Sequence, residues 1–155
     1  MFLLDTNVLS ERRKAAKADR GVVDFLDRTD HEIFVPVQVV GEIRSGIEGL
    51  RRRGDLPEAL RLETWLKLIL DEYSDHIIEF SLECAETWGY LMGVNDQHIV
   101  DRQIAAMALV YDLTVVTRNT SHFAGTGVRL LNPFAGPARP AGRSSSAKPA
   151  HRKTP

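Results

Sequence analysis

The chain carries a single cysteine, Cys84, in 155 residues, so it has no disulfide framework and reads as a protein of a reducing compartment. Cys84 sits in an apolar helical pattern, where a lone thiol behaves as a small core side chain. The sequence shows no basic segment leading into an apolar stretch and a small-residue cleavage site, so nothing reads as a secretory signal. The apolar run from Ile104 to Val110 falls far short of the roughly 20 residues that cross a bilayer. The expectation is a soluble, cytoplasmic protein without a membrane partner. Acids are missing from residue 135 onward, where Arg139, Arg143, Lys148, Arg152 and Lys153 stand among Pro, Gly, Ser and Ala. Those five cations leave 15 of the 20 basic side chains against all 21 acids in residues 1–134, a net of −6. Such a body is a poor nonspecific nucleic-acid binder, because phosphate affinity comes from Lys and Arg. It suits a protein that concentrates carboxylates around a metal.

What remains is ordinary globular material, 43% hydrophobic and 26% charged, enough for one domain that folds unaided. The domain is expected over residues 1–134, and the Pro/Gly/Ser-rich basic stretch 135–155 is expected to be a disordered tail. Four apolar runs read as strands: Phe2-Leu3-Leu4, Glu32 to Val35, His76 to Phe80 and Leu113 to Thr117, with Val128 to Leu131 as a short edge strand. Between them lie helical stripes. Val22, Val23, Phe25 and Leu26 form one face; Val39, Ile43, Ile47 and Leu50 a second; Leu62, Trp65, Leu66, Ile69 and Tyr73 a third. Trp65 and Tyr73 read as core or dimer-interface residues, not as a base-stacking platform. Ser81 reads as the cap of a helix carrying Leu82, Ala85, Trp88, Leu91 and Met92 and ended by Gly93. The helix from Ile99 to Asp112 should bury Ile104, Ala105, Ala108 and Leu109, and Val8 to Lys14 should be a short helix running into a mobile loop. Strands alternating with helices predict an α/β protein, a three-layer α/β/α sandwich around a mostly parallel sheet.

Three acids fall where such a fold places chemistry. Asp5 ends an apolar strand, and in open α/β sheets the ligand crevice lies beyond the carboxyl ends of the strands. Glu42 lies beside the second stripe near its helix start, and Asp101 shares a helix side with Ala105 and Ala108. Each has a plain structural alternative: Asp5 and Asp101 as helix caps, Glu42 as a boundary glutamate. Brought together, the three would repel one another unless a cation neutralised them. Oxygen-only ligands suit Mg²⁺ or Mn²⁺, which can activate water against a phosphodiester.

Four segments in order carry a resemblance: Phe2-Leu3-Leu4-Asp5-Thr6-Asn7, Val40-Gly41-Glu42-Ile43-Arg44-Ser45-Gly46, Asp101-Arg102-Gln103-Ile104-Ala105-Ala106 and Val115-Val116-Thr117-Arg118-Asn119-Thr120. Together they resemble the PIN-domain family, and within it the VapC-type toxins of toxin–antitoxin pairs. The closing Gly125-Thr126-Gly127-Val128 and Leu131-Asn132-Pro133-Phe134 are similar to the FitB-like subgroup, whose antitoxins also bind DNA. The resemblance implies a homodimeric, Mg²⁺- or Mn²⁺-dependent ribonuclease acting on RNA and inhibited by a cognate antitoxin, with DNA engaged only through that antitoxin. It assigns metal-ligand roles to Asp5, Glu42 and Asp101, a place in the catalytic set to Asn119, and supporting hydrogen bonds to Thr6 and Thr117. One departure stands out: many members have a fourth acid where this chain has Asn119, and others an Asp where it has His122. Asp96 is a candidate to compensate, and His122 reads as a loop residue because hard cations prefer oxygen. Two other readings follow from the residues. The first is a catalytically weak domain that mainly binds its antitoxin in a DNA-bound autoregulatory complex. The second, a phosphomonoesterase with a strand-end Asp nucleophile, is disfavoured by Asn7 in place of a second Asp. The basic tail reads as a solvated extension before it reads as an RNA guide.

Overall fold

A computed structural model describes residues 1–135, so the tail expected to be disordered lies outside the described residues apart from Ala135. Five parallel strands form one sheet in the order β3-β2-β1-β4-β5: β1 Phe2–Leu4, β2 Ile33–Pro36, β3 Ile77–Ile78, β4 Thr114–Val116 and β5 Arg129–Leu131. The sheet, expected to be mostly parallel, is wholly so. β1 is central, and Leu3 and Leu4 are both fully buried although they point to opposite faces. A strand covered on both sides reads as an unbroken apolar run for that reason. The chain walks from β1 outward to β3, then crosses to β4 on the other side of β1. The strand order therefore reverses between β1 and β4, and a crevice opens at their carboxyl ends.

Among the described residues six α-helices complete an α/β/α sandwich: α1 Thr6–Leu9, α2 Arg20–Thr29, α3 Val37–Arg52, α4 Leu56–Glu72, α5 Leu82–Val94 and α6 Ile99–Val110. Their starts are written locally. Asp19 caps α2, Asp55 caps α4 with Pro57 in the first turn, and the Ser81 hydroxyl accepts from the Cys84 N–H at 3.2 Å to cap α5 as expected. Val39, Ile43 and Ile47 of α3 and Leu62, Leu66, Ile69 and Tyr73 along α4 enter the core, and Cys84 is buried with them. Each such aliphatic side chain contributes roughly 1.5–3 kcal/mol by leaving water.

The structure departs from the periodicity in several places. Val23 is exposed, and α5 runs one residue past Gly93. The third strand keeps only Ile77–Ile78 of the expected His76–Phe80, because it sits at the sheet edge and pairs β2 alone. Leu109, expected in the core, is 39% exposed, while Ala106, Met107 and Arg102 are buried. α6 is enclosed by α5 as well as by the sheet, so more than one stripe is covered, and Leu109 in the last turn lies outside it. Residues Ser10–Lys17 form a 3-10 segment with a kink at Ala15 (φ 47°), where a helix and loop were expected.

Candidate active site

The register pairs Leu4 with Val116, which makes Asp5 and Thr117 neighbours one residue beyond β1 and β4. Asp5 is 4% exposed and Thr117 fully buried. The Thr117 hydroxyl donates to Asp5 Oδ2 at 2.6 Å, Asn7 Nδ2 donates to the same oxygen at 2.5 Å, and the Thr6 N–H donates to Oδ1 at 2.7 Å. Thr117 Oγ1 in turn accepts from Asn7 Nδ2 at 3.2 Å and from the Asn119 N–H at 3.0 Å. Asn7 Oδ1 accepts from the Arg118 N–H at 3.0 Å, which ties the segment after β1 to the segment after β4. Asp5 does cap the short α1, so the capping alternative holds, and its carboxylate also lines the crevice.

Around it lies an open cleft of about 380 Å³ lined by Asp5, Thr6, Asn7, Glu42, Asp101, Asn119 and His122. Glu42 comes from the second turn of α3 and is more open to solvent than its stripe suggested; its Oε2 accepts a hydrogen bond from the Thr6 hydroxyl. Asp101 stands in the first turn of α6, and its Oδ2 lies 3.0 Å from His122 Nδ1 and 3.7 Å from His98 Nδ1. Burial raises the Asp5 carboxyl above its ordinary pKa against the opposing pull of its Thr117, Thr6 and Asn7 donors, and the charge of Asp101 adds to the rise. Glu42 is likewise raised, first by loss of hydration at the cleft and then by Asp5 and Asp101, with the Thr6 hydrogen bond opposing. Asp5 and Glu42 thus both sense the charge of Asp101 across the cleft.

All six residues singled out in the sequence line this cleft or brace it: Asp5, Thr6, Glu42, Asp101 and Asn119 line it, and Thr117 lies directly behind Asp5. Asp96 is exposed in the loop before α6 and is not among the lining residues, so the geometry does not support it as a replacement acid. His122, read as a loop residue, is instead part of the wall, in the 3-10 turn Thr120–Phe123. Sequence reasoning also passed over Asn7, which joins both strand ends, and His98. Asn7 was visible only as part of the strand-end Asp5-Thr6-Asn7 segment and His98 only by lying three residues before Asp101, whereas His122 stands where the resemblance gives other members an Asp.

Comparison with known proteins adds an independent line. The family profile described as PIN domain matches residues 2–127. The chain is 30% identical over 143 residues to VapC ribonuclease Y4jK of Sinorhizobium fredii, a match covering 86% of this chain and 98% of that protein. It is 32% identical over 143 residues to Toxin FitB of Neisseria gonorrhoeae, covering 86% and 99%. Its fold is similar to a solved structure of FitAB bound to an IR36 DNA fragment, with a TM-score of 0.69, 29% identity and coverage of 86% and 96%.

Proposed function

The chain belongs to the PIN-domain family, in its VapC-type branch, and from that premise we propose that it is a Mg²⁺- or Mn²⁺-dependent endoribonuclease toxin silenced by a cognate antitoxin. The observation that carries the reading is the convergence of Asp5, Glu42 and Asp101 on one open cleft at the strand-order reversal. The donor set fits a hard divalent cation. It offers carboxylate oxygens, two of them on groups whose charged forms are disfavoured by burial and mutual repulsion, and a cation would relieve both. Asp5, Glu42 and Asp101 would hold it. When bound, such an ion supplies charge neutralisation at the phosphodiester and a water of lowered pKa.

The chain's own groups do the positioning. Thr117, Asn7 and the Thr6 N–H lock the Asp5 carboxylate, so it needs no reorganisation to meet a cation. The Thr6 hydroxyl orients Glu42, so residues 5 and 6 together set two of the three acids. The cleft is open enough to admit a backbone phosphate. An acidic body contributes little affinity for RNA, which leaves binding to the site itself and to whatever basic surface a second copy or the tail adds. By likeness to FitAB, solved on a DNA fragment, the partners are an antitoxin and DNA through that antitoxin, and the family resemblance adds a second copy of the chain and an antitoxin segment in the cleft.

Purified protein freed of partner should cleave RNA with Mn²⁺ or Mg²⁺, and Asp5→Ala should lower the rate at least about 100-fold. Cleavage that persists in Asp5→Ala or in excess chelator would overturn the reading. Asn119, a neutral residue where the family resemblance implies an acid, favours a second reading: a weak nuclease whose main act is antitoxin binding. Tight antitoxin binding without RNA cleavage or growth arrest on expression would select it.

A further inference from the structure

The corner of the cleft around Asp101 is not built from oxygen alone. The rings of His98 and His122 stack with centroids 3.9 Å apart and planes 13° from parallel, so one ring must turn about its Cβ–Cγ bond before both aim an in-plane lone pair at a shared ion. Both Nδ1 atoms face the same Asp101 oxygen, at 3.7 and 3.0 Å. One ligand atom from each of the three residues lies within 4.8 Å of the other two, the spacing of donors that share an ion. Among the described residues this is the one trio of His, Cys, Asp or Glu side chains drawn that close together. His98 reaches this place at a cost. It stands at the N-cap position of α6 in the left-handed region, φ 55° and ψ 55°, which few non-glycine residues adopt and which recurs at ligand sites. The trio is also accessible: His98 is 38% and His122 35% exposed, with Asp101 at 19% on their cleft side.

We propose that His98, Asp101 and His122 form a binding site for a borderline divalent cation of the zinc class, sharing Asp101 with the oxygen-lined part of the cleft. Imidazole nitrogens favour Zn²⁺, Co²⁺ or Ni²⁺ over Mg²⁺, and two nitrogens with one carboxylate oxygen leave a coordination position open to water or substrate. An ion held there takes Asp101 away from a Mg²⁺ ion held with Asp5 and Glu42. That competition rests on the nuclease reading above, whereas the binding of the zinc-class ion does not.

Co²⁺ titrated into the metal-free full-length protein tests the site by its visible d–d absorption. The expected result is one ion per chain with the intense bands of a low-coordinate, nitrogen-containing site, bleached by Zn²⁺ and unaffected by a large excess of Mg²⁺. His122→Asn and His98→Asn should each weaken Co²⁺ binding by at least about 10–100-fold, the loss typical of even an indirect change around a metal. Asn tolerates the left-handed backbone at position 98, so that variant keeps the turn, and circular dichroism checks both folds. A Co²⁺ spectrum and affinity unchanged in both histidine variants would place the ion on carboxylates and overturn the proposal. So would absence of Co²⁺ binding by folded wild-type protein. Asp5→Ala separates the two readings: it should abolish Mn²⁺-dependent RNA cleavage and leave the Co²⁺ bands in place. Bands without RNA cleavage in the wild type would sink the nuclease reading alone, and cleavage without bands the zinc-class site alone.

Discussion

Thr117 is a small residue on which several requirements meet. Its buried hydroxyl donates once, to Asp5, and accepts twice, from Asn7 and from the Asn119 N–H. The sequence places it at a strand end like Asp5; only the β1–β4 register makes the two touch. Thr117→Val keeps the shape and removes all three bonds, leaving the Asn119 N–H unpaired and Asp5 short of a donor. The expected cost is about 1–3 kcal/mol in denaturant unfolding. RNA cleavage should fall by about 10–100-fold, because Asp5 loses the group that orients it. Full activity in this variant would show that Asn7 and the Thr6 N–H suffice. His122 carries the opposite lesson. Its own chemistry reads as that of a loop histidine, and its place in the wall follows from where the Thr120–Phe123 turn lands beside α6.

At the scale of elements, α6 decides where Asp101 stands. Ala105, Ala106 and Ala108 are at most 1% exposed, so the helix lies close against its neighbours and any added volume must push it away. Ala105→Leu should cost about 1–3 kcal/mol by overpacking, seen in thermal melts, and should shift Asp101 one turn upstream enough to depress RNA cleavage further than stability. Leu109→Ala, on the exposed side of the last turn, should change stability by no more than about 0.5 kcal/mol. The stripe pattern placed Leu109 in the core because periodicity reports direction and not how far neighbouring elements extend. Ser10–Lys17 shows another limit of pattern reading. Its charged sequence suggests a loose loop, yet Glu11 is 3% exposed, pairs with Lys14 and accepts from the Asp19 N–H at 3.0 Å. A buried acid satisfied by backbone leaves no periodic trace.

For the whole molecule, the cleft acids should make stability depend on pH and, if they hold the proposed cation, on metal. Asp5 and Glu42 have raised pKa values in the fold, so between the ordinary carboxylate range and those raised values the native state holds more protons than the unfolded chain. Stability contributed by the pair is therefore lost as pH rises through that window, and the loss is complete above it. Mn²⁺ should reverse it: at a concentration about 100 times its Kd it adds roughly 2.7 kcal/mol at neutral pH. That corresponds to a rise of about 5–10 °C in the melting midpoint, shrinking as pH falls through the raised range in which Asp5 and Glu42 protonate. Calorimetry across pH with and without Mn²⁺ checks this, and a midpoint indifferent to Mn²⁺ at neutral pH would contradict it. Read on its own, the amino-acid sequence determined the α/β class, the Ser81 cap, the order of strands along the chain and the identity of the acids, because these follow from periodicity, side-chain hydrogen bonding and residue chemistry over a few neighbours. Only the tertiary structure decided that β4 pairs with β1, that Thr117 and Asn7 hold Asp5, and that two histidines crowd Asp101. Those contacts join residues up to 112 positions apart, and the packing of the sheet, which no local pattern encodes, is what brings them within reach.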